Sequence, residues 1–241
     1  VTIARTIPPI VLAAAILLLA HGIIPFNPDG IFTRAGMFSP KRLDEEPIKV
    51  RLAGAYMTVP ANCFTSSRPS SGFVDRGYMI EDSAVFSFLL PNMDCRTREN
   101  LALFETKERV SPVVVVAVSK LGKNDSADAS FSRMLWTLYP PSGAKKEQPT
   151  LLYEKGGESV YSAIRYPNGG YSVEERLYVD RQRRSIAKCA RPNRLLVPFC
   201  KVSFAAGQQF IRMRYSAGYE AQHRAVENLI FRKLDSFRSS K

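Results

Sequence analysis

The chain has 241 residues, of which 34 are Lys or Arg and 22 Asp or Glu, for a formal net charge of +12. A hydrophobic content of 45% with 23% charged residues excludes wholesale disorder and a protein that crosses a membrane many times. The basic balance points to acidic surroundings, anionic lipid headgroups or an acidic protein partner, and no nucleic-acid recognition motif accompanies it.

Ile7 to Phe26 is a run without a formal charge, IPPIVLAAAILLLAHGIIPF. At ~1.5 Å per residue in a helix its length matches a hydrocarbon core of ~30 Å, so the expectation is a transmembrane anchor over residues 1–26. Pro8 and Pro9 suit the first helical turn and Pro25 the exit. Ala13, Ala14, Ala15 and Gly22 form a small-residue face for packing against the helices of partner subunits. A cleaved signal peptide competes, with Arg5 as its basic region and Ala20-His21-Gly22 near a cleavage point. Arg34, Lys41 and Arg42 follow the segment whereas Arg5 alone precedes it, which by the positive-inside tendency favours a cytoplasmic domain. Residues 27–47 are proline-rich and read as a tether, with Ile31, Phe32, Met37 and Phe38 giving it a docking character.

The four cysteines, Cys63, Cys95, Cys189 and Cys200, include no CxxC pair, so zinc-ribbon and thioredoxin-like chemistry is not indicated. Cys189 and Cys200 flank CARPNRLLVPFC, a connection between two strands that brings their sulfurs together. Cys63 and Cys95, each just past an apolar strand, are a secondary candidate pair. A disulfide implies an oxidising compartment, against the positive-inside count, and places the domain in the periplasm with its anchor in the inner membrane.

Residues 48–241 then read as one α+β domain, mainly antiparallel β and closed by a C-terminal amphipathic helix. Strands are expected at Ile48–Val59, Ala84–Leu90, Val113–Leu121, Met134–Leu138, Leu151–Glu154, Val160–Arg165, Ser172–Val179, Ser185–Lys188, Lys201–Ala206 and Phe210–Ser216. The β-branched run from Val113 suits a buried central strand, while QFIRMRY alternates like a half-exposed one. Residues 167–170 and 206–209 carry hairpin-turn signals. Val226, Leu229, Ile230, Leu234 and Phe237 make one apolar stripe on a helix over Tyr219–Phe237.

No catalytic constellation stands out. His21 and His223 are far apart, GxSxG is missing, and Gly156-Gly157 and Gly169-Gly170 lack the lysine and helix context of a phosphate loop. Among Glu81, Asp82, Glu105, Glu108, Glu174 and Glu175, spacing selects no acid–base pair. No metal and no cofactor is expected. The densest basic run, Arg181, Arg183, Arg184, Lys188, Arg191 and Arg194, is a patch for an acidic partner or anionic headgroups, or a solvated hairpin face.

The segments YMTVPAN (56–62), SFLLPNM (87–93), VPFC (197–200), the Tyr-Ser at 215–216 and a final helix ending in Ser-Phe (236–237) resemble uncharacterised proteobacterial exported or inner-membrane-anchored proteins. The resemblance implies a periplasmic α+β domain and supplies no catalytic residues. Two functional expectations follow. The first is a non-catalytic accessory or scaffold subunit capping the periplasmic face of an inner-membrane complex, such as a respiratory or photosynthetic electron-transfer assembly. The second is a membrane-anchored periplasmic binding or immunity-type protein.

Overall fold

The computed structural model describes residues 43, 45–65, 74–106, 111–122, 125–138, 149–165, 173–191 and 198–238. These belong to the compact unit spanning residues 39–241. The apolar run Ile7–Phe26, with Ala13, Ala14, Ala15 and Gly22, lies outside the described residues, as does most of the proline-rich segment. Among the described residues no helix is long and apolar enough to cross a membrane.

The architecture is α+β, mainly antiparallel. Strands β1 (Pro47–Leu52), β2 (Ala55–Pro60), β3 (Val74–Asp75) and β4 (Tyr78–Glu81) form a small sheet ordered β2-β1-β4-β3. Strands β5 (Ser83–Leu89), β6 (Val113–Lys120), β7 (Thr150–Lys155), β8 (Glu158–Arg165), β9 (Val173–Asp180), β10 (Ser185–Ala190), β11 (Phe199–Ala206) and β12 (Gln209–Ser216) form the larger sheet, ordered β5-β6-β12-β11-β10-β9-β8-β7. The helices are α1 (Leu101–Glu105), α2 (Ala127–Leu138) and α3 (His223–Ser236), and a 3-10 turn at Ala217–Gln222 leads into α3.

The run expected as one strand, Ile48–Val59, is a hairpin in which Leu52 pairs with Ala55. Its two-residue turn needs positive φ at both positions, and Ala53 (48°) and Gly54 (87°) supply it. The expected strand Met134–Leu138 is instead the second half of α2. Ser126 caps that helix through a hydrogen bond from Ala129 N–H at 3.0 Å, and Phe131, Met134 and Leu135 recur at helical spacing to pack with Val179 and Ile186. The hairpin signal at 206–209 is realised, with Ala206 opposite Gln209; residues 167–170 lie outside the described set.

The core fills the inner face of the large sheet. Phe86 and Phe88, Val114, Val116 and Val118, Ile211, Met213 and Tyr215, and Val202 and Phe204 alternate inward along their strands. Against them lie Val226, Ile230 and Leu234 of α3 and Val50, Leu52, Met57 and Val59 of the small sheet. Aromatic contacts trace the path of α3 across the strands: His223 on Tyr178 of β9 at 4.3 Å, Phe231 on Phe204 of β11 at 4.4 Å, and Phe237 near Phe88 of β5 at 6.2 Å. A helix of this length spans about 21 Å, close to the ~24 Å across five strand spacings from β9 to β5. The far end of α3 is tied to the small sheet by Thr58 N–H donating to the Phe237 carbonyl at 2.8 Å.

Both cysteine pairs are disulfides, Cys63–Cys95 and Cys189–Cys200. The second joins directly opposed residues of β10 and β11. The first closes a cap over the outer edge of β5, where Thr65 N–H donates to Val85 O at 2.9 Å and Leu89 and Asp94 exchange backbone bonds. Asn62 reinforces it by donating to the Arg96 carbonyl at 2.7 Å. By loop-closure entropy the separation of 32 residues contributes about 4 kcal/mol and that of 11 residues about 3 kcal/mol. In urea unfolding, replacing Cys63 and Cys95 together by Ala should therefore cost more stability than replacing Cys189 and Cys200. Equal or reversed losses would show that the edge cap contributes little.

Candidate protein-binding surface

With the inner face of the large sheet filled, its outer face carries what remains. Near one end α2 covers Val179 of β9 and Ile186 of β10. Two residues further along each strand, registers align Leu177 with Lys188, Lys188 with Lys201, and Lys201 with Arg214. Three cations thus stand directly opposite one another on adjacent strands β10, β11 and β12. Arg214 in turn faces Val115 of β6, and Val115 faces Ser87 of β5. Ser87 accepts a hydrogen bond from Arg96 at 3.4 Å, which brings a further cation to the end of this row.

Phe199 lies beside the row, with the Arg214 guanidinium 4.0 Å and the Lys201 ammonium 5.5 Å from its ring centroid. The ring face attracts both cations and props them above the sheet. Burial holds the Arg214 guanidinium below its ordinary value. On β12, Arg212 rests on Phe210 at 5.7 Å. The result is a basic, aromatic-spaced strip built on strand rather than loop positions, and it offers recognition of acidic groups by charge and by planar hydrogen bonding.

The residues expected to form a basic patch are distributed differently. Arg181 is exposed in the β9–β10 turn. Arg183 reaches Asn228 of α3 at 3.0 Å, while its neighbour Arg184 reaches Asp128 of α2 on the other face. Arg191 bonds through its backbone N–H to Glu174 O at 2.8 Å, and Arg194 lies outside the described residues. Lys188 alone of that group enters the cation row. Lys201, Arg212 and Arg214 form no run along the chain, because a strand displays every second residue on one face; Arg212 and Arg214 within an alternating segment are their signal in the sequence.

A second charged cluster anchors the start of α3 on the inner face. Here the registers align Glu158 with Asp180 and Asp180 with Ser185, a polar end to a row that continues into Phe204 and Ile211. His223 Nε2 is 3.0 Å from Glu158 Oε1, and its Nδ1 is 3.1 Å from the Glu220 carbonyl. An acceptor faces each ring nitrogen, an arrangement that favours the doubly protonated imidazolium. Arg224 bonds Asp180 and lies 3.2 Å from Glu158. These carboxylates offset the cost of placing two cations at a helix N-terminus. Tyr178 donates to Glu220 at 2.7 Å, and Ser185 donates to the buried Glu227 at 3.4 Å.

Burial opposes the charge on His223, but the hydrogen bond and charge of Glu158, with Glu227 and the Glu220 carbonyl, raise its pKa above the ordinary 6.5. Burial likewise raises Glu227 above 4.5, against the pull of His223 and Arg224. Burial works against the charge on Asp180, yet the Arg183 backbone and Arg224 bonds hold it below 3.8. The His223 contribution is complete below its unfolded value and is lost as pH rises through the raised folded value. The penalty of ionising Glu227 grows over the same direction. The Asp180 contribution is lost on further acidification, below its unfolded value. Thermal stability should thus decline from pH 6 to 9, and His223→Gln should flatten that slope. A pH-independent midpoint across this range would contradict the imidazolium assignment.

No protein-family model matches the chain, and no curated protein matches it. Among solved structures, Smlt3025, an immunity protein of the Stenotrophomonas maltophilia type IV secretion system, is similar with a TM-score of 0.54 at 12% sequence identity, covering 81% of this chain and 94% of that chain. Zhui aromatase/cyclase from Streptomyces aligns over 52% of this chain and 90% of that chain at 16% identity, with a TM-score of 0.30 that carries no structural argument. At these identities the likeness to Smlt3025 is one of fold.

Proposed function

We propose that this chain is a non-catalytic binding protein of the immunity type, acting in an oxidising compartment outside the cytoplasm, and that it neutralises a partner protein through the basic outer face of its large sheet. The observation that carries the reading is the row Lys188, Lys201 and Arg214. Three cations gathered on adjacent strands of one face make a concentrated basic surface, which suits an acidic partner by electrostatic complementarity. The net charge of +12 supports the same partner chemistry by steering an acidic protein toward the domain. Two disulfides support an exported location, and the fold shared with Smlt3025 supports immunity as the biological setting. The accessory-subunit expectation finds no comparable support among the described residues.

Immunity has a direct test in competition. A strain lacking this chain should lose viability when grown in contact with its parent, and the full chain supplied in trans should restore survival. The combined variant Lys188→Glu, Lys201→Glu and Arg214→Glu should fold with a similar melting temperature and fail to protect. Equal survival of the deletion strain would overturn the immunity reading; protection by the folded triple variant would overturn the assignment of the surface.

A further inference from the structure

The two edges of the large sheet are finished differently. The β5 edge is capped by the chain itself, through Thr65, Phe64 and Asp94 and under the Cys63–Cys95 disulfide. At the opposite edge β7 pairs with β8, and among the described residues no strand pairs with its other side. All six residues of β7 are exposed, yet its centre is Leu151-Leu152-Tyr153, at 50, 46 and 48% exposure. An exposed edge strand with apolar side chains and without an inward charge or proline in its middle is a template for pairing, and here the bulge between Leu151 and Tyr153 is the one edge-blunting feature of that middle among the described residues.

The register shows how deeply this edge belongs to the core. One inner-face row crosses all eight strands: Tyr153, Val160, Tyr178, Ala187, Val202, Met213, Val116 and Phe86. From Val160 to Phe86 every member is at most 6% exposed, so the row runs as continuous core until it ends in solvent at Tyr153. Leu151 ends an outer-face row in the same way, opposite Tyr161 and beyond it Leu177. The bulge between Leu151 and Tyr153 is what turns these two apolar side chains to opposite faces.

We propose that β7 pairs antiparallel with β7 of a second copy of this chain, joining two large sheets edge to edge across a two-fold axis. The strand is suited to itself. Its apolar centre lies between Thr150 on one side and Glu154-Lys155 on the other, and its two charges cancel. Two antiparallel copies centred on that triplet bring the apolar residues together at the axis. They set Glu154 and Lys155 of each copy at the Thr150 end of the other, with no like charges opposed. An acidic partner, as proposed for the outer face, matches this neutral apolar edge poorly, so the two surfaces serve different occupants.

Sedimentation equilibrium of the full chain in a mild non-ionic detergent tests the pairing. The expected species is a dimer that dissociates on dilution, with β7 backbone amides gaining hydrogen-exchange protection as concentration rises. Leu151→Lys with Tyr153→Lys should give a monomer with unchanged far-ultraviolet circular dichroism. Should that variant fail to fold, Leu152→Cys in the otherwise unchanged chain provides the second measurement: Leu152 lies on the two-fold axis and faces its own copy, so a covalent dimer under mild oxidation is expected. A wild-type monomer at high micromolar concentration, a dimer that survives the folded lysine variant, or no covalent dimer from Leu152→Cys would each overturn the proposal. Reversal of the outer-face cations should leave the dimer intact, which separates this result from failure of the immunity reading.

Discussion

Everything else in this domain depends on how α3 is held against the inner face of the large sheet. Eight strands present a broad inner surface, and an open sheet of that size is stable only when its apolar face is covered. The helix covers it in two chemical registers. From Val226 to Leu234 it packs by shape and apolar contact, where each deep truncation such as Ile230→Ala would cost on the order of 2–5 kcal/mol. At His223 and Arg224 it is fixed instead by ion pairs to Glu158 and Asp180, the polar end of a sheet row. The ionic end sets where along the strands the apolar end sits.

That commitment of the inner face determines what the outer face is free to do. Strand alternation forces every inward Val202, Phe204, Ile211 or Met213 to alternate with an outward residue, and on β11 and β12 the outward positions include Phe199, Lys201, Arg212 and Arg214. The sheet concentrates its cations on adjacent strands and seats them on aromatic rings. A rigid sheet also holds them in a fixed pattern, which a loop or a flexible hairpin tip would not.

Much of this was legible in the residues. Strand β6 is readable from its run of valines, β12 from its alternation, α3 from its stripe of Val226, Ile230 and Leu234, and the Cys189–Cys200 bridge from the connection it flanks. Segment α2 misled because MLWTL in isolation suits a strand as well as a helix; the deciding information lay upstream, in Ser126 and Phe131. The β1–β2 hairpin was hidden because Ala53, with no turn preference of its own, takes the left-handed conformation beside Gly54. His223 and Glu158 are separated by 65 residues, and nothing in local spacing can announce such a pair. The cation row is of the same kind, since its members come from three strands and meet only once the register is known.

In the proposed function the outer face, rather than the hairpin tips or the turns, meets the partner. Lysine acetylation of the native, partner-bound protein, compared residue by residue with the isolated chain, reads this directly. The account predicts that Lys188 and Lys201 lose reactivity in the bound form while Lys120, at the far end of β6, keeps it; undiminished labelling of Lys188 and Lys201 in the complex would contradict it.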